Sequence, residues 1–322
     1  MQKFITPLIN VFKFHKKKIG VFTLSVLLFS LLLFHYNDLG DLVSAKVIEA
    51  TNGSVSVQFE DMGISFFPFG VKLQNVYVNT PMVPELKTDS LAVSPTIWGA
   101  ITGRPGIKIR LGGIFDGGIY ASAQLERKEK SEILTVNADW NSLSLKSLLK
   151  LQNITLPIKG SIDGEAENVK VDLKFSQPPS GKVVLKSKVL EMPSTPIATI
   201  MGPIELPNLK FSEIAVSTSL KDRDLNIENA MIGTSKDDIS ANLTGRIGVQ
   251  INAYPSGMNA QFNNYKLNLE LRVKERVAKT GYLPLALGFL EKCKTGASAG
   301  TLVFRCVFEG AQFGTVPRIS TF

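Results

Sequence analysis

The sequence predicts a mostly β protein: a single N-terminal transmembrane helix, then a long, largely antiparallel β-sheet, built as a groove or a sandwich, with two short helices. Three observations predict it. An uncharged apolar run, Ile19 to Tyr36, follows a lysine cluster. Beyond it, apolar and polar residues alternate in one run after another. Turn residues separate these runs, so the strand–helix–strand rhythm of a parallel α/β fold is missing.

The apolar run reads IGVFTLSVLLFSLLLFHY and contains no Asp, Glu, Lys or Arg. As a helix, 18 residues span about 27 Å, close to the hydrocarbon thickness of a bilayer. Lys16, Lys17 and Lys18 precede it, and Asp38 and Asp41 follow. Positive charge favours the cytoplasmic side, which makes residues 1–18 a cytoplasmic tail, 19–36 the span and 37–322 a periplasmic body. A cleaved signal peptide is the competing reading. Val43-Ser44-Ala45 resembles a cleavage site, but it sits well past the apolar core, and the basic region is long for a signal.

In the body, period-two alternation marks strands with one buried face. Val55, Val57 and Phe59 alternate with polar residues. So do Val169, Val171, Leu173 and Phe175, and Leu267, Leu269, Leu271 and Val273. Shorter runs lie at 71–78, 107–111, 119–125, 183–189, 214–220, 225–227 and 239–243. Asn52-Gly53, Asp163-Gly164 and Gln177-Pro178-Pro179-Ser180-Gly181 supply turns. The apolar face of such a sheet must be buried against something. The pattern leaves two arrangements open, a closed sandwich core or a hydrophobic groove lined by Val169, Val171, Leu173, Phe175, Leu267, Leu269, Leu271 and Val273 that acyl chains could fill.

Leu143 to Leu151 and Leu283 to Cys293 are leucine-rich and read as the two helices. Each precedes a glycine-containing turn and a strand, which is either a weak internal repeat or two ordinary helices on a sheet. Glu126 to Glu132 (ERKEKSE) reads as a solvated hairpin tip. Met192 to Pro207, with four prolines, reads as a loop over a sheet edge or an opening.

Composition excludes several functions. Of the net charge of +8, residues 1–18 carry +5, which leaves +3 over the remaining 304 residues. The basic character is therefore juxtamembrane, and no basic, aromatic-interleaved stripe suggests nucleic acid. The only histidines are His15, before the apolar run, and His35, at its end. The body thus lacks the commonest general base and any His ligand for zinc. There is no phosphate-binding glycine loop and no calcium-loop pattern, so no cofactor is expected. One enzyme reading is worth testing. Ser147-x-x-Lys150, Ser240-Ala241-Asn242 and Lys279-Thr280-Gly281 or Lys294-Thr295-Gly296 follow the order of penicillin-binding-type acyl-enzymes, with Ser147 as the nucleophile. The strand-like alternation of residues 165–275 opposes it, since those enzymes are helical there. The body therefore reads as non-catalytic.

Cys293 and Cys306 enclose twelve residues. An oxidising compartment would permit a disulfide stabilising by about 3 kcal/mol in the chain-entropy model; two buried free thiols are the alternative.

One ordered series of short motifs carries a family resemblance. It runs Gly53-Ser54-Val55-Ser56-Val57, Phe66-Phe67-Pro68-Phe69-Gly70-Val71 and Leu73-Gln74-Asn75-Val76-Tyr77-Val78. It continues with Pro157-Ile158-Lys159-Gly160-Ser161-Ile162-Asp163-Gly164, Leu206-Pro207-Asn208-Leu209-Lys210-Phe211, Leu225-Asn226-Ile227, Asp238 and Leu243-Thr244-Gly245-Arg246-Ile247, and ends with the helix and strand of Cys293 and Cys306. Across the body this layout resembles the longer, Leptospira-like and deltaproteobacterial form of the type II secretion system protein N family, related to AsmA-like envelope proteins. The resemblance implies a non-enzymatic inner-membrane component of type II secretion that scaffolds the apparatus or assists its assembly. Its partners would be secretion subunits. The alternative it implies is lipid binding or bridging, with phospholipid as the partner.

Overall fold

A computed structural model describes residues 16–33, 39–66, 69–80, 83–96, 99, 101–129, 131–151, 154, 156–174, 176–199, 202–206, 208–254, 257–281, 283–298, 300–313 and 315–322. Helix α1 (Lys16–Leu33) opens at the lysine cluster. The expected span 19–36 is helical to Leu33, and its last three residues lie outside the described residues. Among the described residues, no helix is long and apolar enough to cross a membrane, so α1 alone does not supply the expected transmembrane helix. Helix α2 (Gly40–Ala50) was not expected from the sequence. It stops where Asn52 and Gly53 take positive φ and the Gly53 amide donates back to the Ile48 carbonyl at 2.8 Å, an end that an Asn-Gly pair favours.

The body is strand after strand, as the alternation predicts. The first are β1 (Ser56–Gln58), β2 (Asp61–Phe66), β3 (Phe69–Thr80), β4 (Val83–Pro95), β5 (Gly106–Ile114), β6 (Gly117–Arg127) and β7 (Glu132–Ser144). Helix α3 (Leu145–Leu151) leads to β8 (Lys159–Asp172), β9 (Ser180–Ser187), β10 (Leu190–Met192), β11 (Thr195–Thr199), β12 (Gly202–Leu206) and β13 (Leu209–Phe211). Then come β14 (Ile214–Lys221), β15 (Asp224–Ile232), β16 (Ile239–Tyr254) and β17 (Gly257–Lys274). Helices α4 (Glu275–Ala278) and α5 (Leu283–Gly288) and a 3-10 turn (Glu291–Cys293) precede β18 (Lys294–Ser298), β19 (Thr301–Gln312) and β20 (Arg318–Thr321).

All the described strands except β11 and β12 join one antiparallel sheet. Its order is a meander, β3 to β9, then β14 to β17, then β19. At one edge β1 and β2 pair with β3, and at the other β18 and β20 pair with β19. β10 joins β8 to β13 beside the β9–β14 pairing. Register shifts in β7, β8 and β17 coincide with Ser142, Asn168 and Asn264 in the left-handed region. Local polar groups hold two of these sites. The Ser142 amide donates to Asp163 Oδ1 at 2.7 Å, and the Asn168 amide to Asn137 Oδ1 at 2.8 Å. Bulges of this kind bend a strand and raise its twist.

Four expectations shift. The first helix begins at Leu145, because Leu143 is a buried member of β7. The expected turn at Asp163-Gly164 lies within β8. The second helix divides into α5 and the 3-10 turn. The proline-rich stretch 192–207 holds the β11–β12 hairpin, where Pro196 faces Glu205 and Pro203 faces Ala198. A free two-stranded ribbon tolerates proline because each strand keeps an unpaired side. The expected charged hairpin tip is there between β6 and β7, held by Arg127–Glu132 at 3.2 Å and Lys128–Glu126 at 3.5 Å.

Gly245, at φ +145°, faces Leu267 across β16–β17; a Cβ there would stand 2.2 Å from the Lys266 carbonyl oxygen and 2.9 Å from Leu267 Cα. Gly245→Ala is expected to destabilise the body by about 2 kcal/mol or more, read as a lowered midpoint in denaturant unfolding.

Candidate functional site

Residues opposite one another on neighbouring strands share a face, so the register can be followed across the sheet. Starting at β2, one row runs Ile64, Val71, Val93, Ile109, Ala121, Ala138 and Ala166. It continues through Val183, Thr218, Ile227, Gly245, Leu267, Phe308 and Ile319 in β20. A second row runs Met62, Leu73, Leu91, Leu111, Ile119, Trp140 and Gly164, then Leu185, Val216, Ala230, Leu243, Leu269, Cys306 and Thr321. Neither row contains a charge, and the only hydroxyls are on Thr218 and Thr321. Trp140 lies over Gly164, where a Cβ would meet its ring at 2.6 Å.

One residue along each strand, the character inverts. Asn226, Arg246, Lys266, Glu309 and Arg318 are successive partners, as are Arg110, Tyr120, Asp139 and Glu165. Ion pairs lace this face: Lys266–Glu309 at 2.7 Å, Arg272–Glu270 at 2.7 Å, Arg305–Glu270 at 3.4 Å and Lys182–Glu228 at 3.6 Å. The Arg272 guanidinium is the first cause holding the Glu270 carboxyl below its ordinary range, and the Ser217 hydroxyl is the first at Glu228. These groups are wet, and each pair contributes little to stability.

The apolar rows are mostly half-buried rather than closed into a core. Only fourteen hydrophobic side chains among the described residues are buried. Among the described residues, one packed cluster stands out, at the last strands: Val273, Ala278, Leu287, Cys293, Phe304 and Cys306.

Six of the eight expected lining residues fall on this face or its closed end. Val169 faces Val136, and Val171 faces Leu134. Leu267 and Leu269 belong to the rows, Leu271 faces Phe304 and Ala241, and Val273 is buried in the end cluster. Leu173 does not line the face: β8 stops at Asp172, and Leu173 stands exposed in the following turn. The reason is Asp172. Its Oδ1 accepts from the Glu132 and Lys174 amides at 3.1 and 3.0 Å, and its Oδ2 from the Ser176 amide at 3.0 Å and the Ser176 hydroxyl, which folds the chain out of the strand. Phe175 lies outside the described residues. The sequence reading missed the contributions of β4 and β7, although Leu134, Val136, Ala138 and Trp140 alternate as plainly as any run it used.

The acyl-enzyme motifs are dispersed. Ser147 on α3 donates to Asp116 Oδ2 at 2.8 Å. Ser240 is on β16, four steps of about 4.8 Å along the sheet from the β8 beside α3. Lys279 follows α4, and Lys294 opens β18. Cys293 and Cys306 stand beside one another as free thiols, and both are fully buried. Cys293 Sγ lies 3.7 Å from the Ser320 carbonyl oxygen, and burial, with Cys293 alongside, pushes the Cys306 thiol up to about 12.

No protein-family model, curated protein or solved structure matches this chain.

Two outcomes follow. Native protein at pH 8 is expected to resist a thiol reagent such as iodoacetamide at both cysteines and to take two equivalents once unfolded, because both are buried away from the reagent and the raised Cys306 thiol supplies almost no thiolate. The four hydrogen bonds to Asp172, the Ser176 hydroxyl first, hold its carboxyl down at about 2. A depressed carboxyl contributes stability above its unfolded value, 3.8, and loses it as pH falls through the folded one. Asp172→Asn is therefore expected to melt lower than wild type at pH 7, with the gap closing between pH 4 and 2.

Proposed function

We propose that this chain is a non-enzymatic, membrane-anchored envelope protein that holds lipid acyl chains on the apolar face of its sheet. The observation that carries the reading is the pair of uncharged rows running uninterrupted from β2 to β20, across the strands. An apolar face of this extent marks a binding surface. The face offers its occupant few hydrogen bonds, because the sheet backbone is already paired and the row side chains are almost all apolar. A peptide backbone laid on it would lose its hydrogen bonds to water without replacement; an alkyl chain loses nothing and gains about 0.8 kcal/mol per buried CH₂.

Residues 19–36 would be the anchor, with the N-terminus cytoplasmic and the body periplasmic. In support, α1 exposes Val21, Phe22, Leu24, Val26 and Phe29, an apolar surface all round that suits a bilayer. A type II secretion role, which the family resemblance implies, would bring the apparatus subunits to the body as partners.

A photoreactive benzoylphenylalanine placed at Leu111, Leu185 or Leu269 in the intact chain, irradiated in cells, separates the two. The expected result is phospholipid adducts at these positions and none from Arg110 or Arg246 on the opposite face. Adducts only with other proteins, or only within the chain, would overturn lipid handling.

A further inference from the structure

Helix α5 and the turn after it are apolar all round. From Leu283 to Leu290 there is no charged residue. One side is used: Leu287 is buried in the end cluster, and Leu290 packs against it. Leu285 on the helix and Phe289 just past its end are outside that cluster. They are 59% and 73% exposed. Two large apolar side chains left this exposed beside a core-packed helix offer a surface for a second contact.

The surroundings indicate its chemistry. From Lys274 to Lys294, five basic residues accompany two acidic ones. Asp238 takes the charge of only one of them, binding Arg276 at 2.6 Å and Lys274 at 3.1 Å. Lys279 and Lys292, on either side of the apolar tip, are exposed. Two protruding side chains offer far less than the roughly 1,200 Å² of a stable protein interface, so a protein partner or a second copy is poorly served. A bilayer interface asks only for apolar tips with cationic neighbours.

Position adds to this. The tip follows β17, ten strand-to-strand steps of about 4.8 Å from β3, at the edge of the sheet opposite β1, against which α2 packs. We infer that Leu285 and Phe289, flanked by Lys279 and Lys292, insert into an anionic lipid surface and seat the far end of the apolar face on it. The inference rests on the lipid-handling reading, which makes an end of the face meet a reservoir of lipid.

The test uses the full chain in phosphatidylcholine nanodiscs mixed with vesicles, either pure phosphatidylcholine or containing phosphatidylglycerol, and read by flotation. Wild type is expected to float with the anionic vesicles, at least tenfold more than the Leu285→Ser/Phe289→Ser variant. The Lys279→Gln/Lys292→Gln variant is expected to lose most of this binding and its dependence on salt. The Phe289→Trp variant is expected to show blue-shifted emission on adding anionic vesicles. Equal flotation of wild type and the serine variant, flotation indifferent to lipid charge, or an unshifted emission would overturn the inference. The serine changes are at exposed positions, and an unchanged melting temperature confirms that they act on binding. Because cross-linking at Leu185 reports on the middle of the face, lost flotation with phospholipid adducts retained would sink the tip alone, and flotation without adducts would sink the lipid-handling reading alone.

Discussion

Everything in this molecule depends on the cross-strand register. A strand's side chains alternate faces with a period of two, so a one-residue slip between any neighbouring pair would exchange its polar and apolar faces. From β2 to β20 the pairings keep Ile64, Val71 and Val93 in line with Leu267, Phe308 and Ile319. Where the register does shift, as around Trp140–Leu143 and Arg246–Gly248, the rows resume beyond the shift. The sheet can then be charged on one face and greasy on the other over its whole width.

Such a sheet is not stabilised as a compact domain is. The end cluster around Val273 and Phe304 is a small core for so long a chain. Elsewhere each apolar side chain is shielded mainly by its neighbours in the row and the strand. Backbone pairing and these lateral contacts hold the sheet, while the rows keep much of their apolar surface available. Hydrophobic free energy that a sandwich would use for folding is here left unused, because the rows stay half-exposed.

Much of this was legible in the sequence. The strands at 71–78, 107–111, 119–125 and 214–220 were written in their alternation, and so was the orientation of Leu267 and Leu269. Three features were not. β4 was overlooked because Thr88 puts a polar residue on its apolar side, opposite Val76, and β7 was overlooked although its alternation was plain. The end of β8 was misjudged because Leu173 and Phe175 continue the alternation, while the bonds that stop the strand come from one carboxylate, Asp172, to amides distant in sequence or in the turn itself. The choice between a closed core and an open face could not be read at all. Alternation says that a face is apolar, but not whether a second layer covers it.

The meander has a consequence for how such a protein could change over time. Every connection along its main path joins neighbours in the sheet, and each hairpin presents the same two faces as the one before. A duplicated or deleted hairpin therefore alters the width of the sheet by two strands, about 10 Å, without reversing either face or rerouting the chain. Fold and chemistry constrain the pattern within a hairpin and leave the number of hairpins unconstrained. Reach is thus an adjustable dimension of this architecture, set by counting repeats of a simple unit.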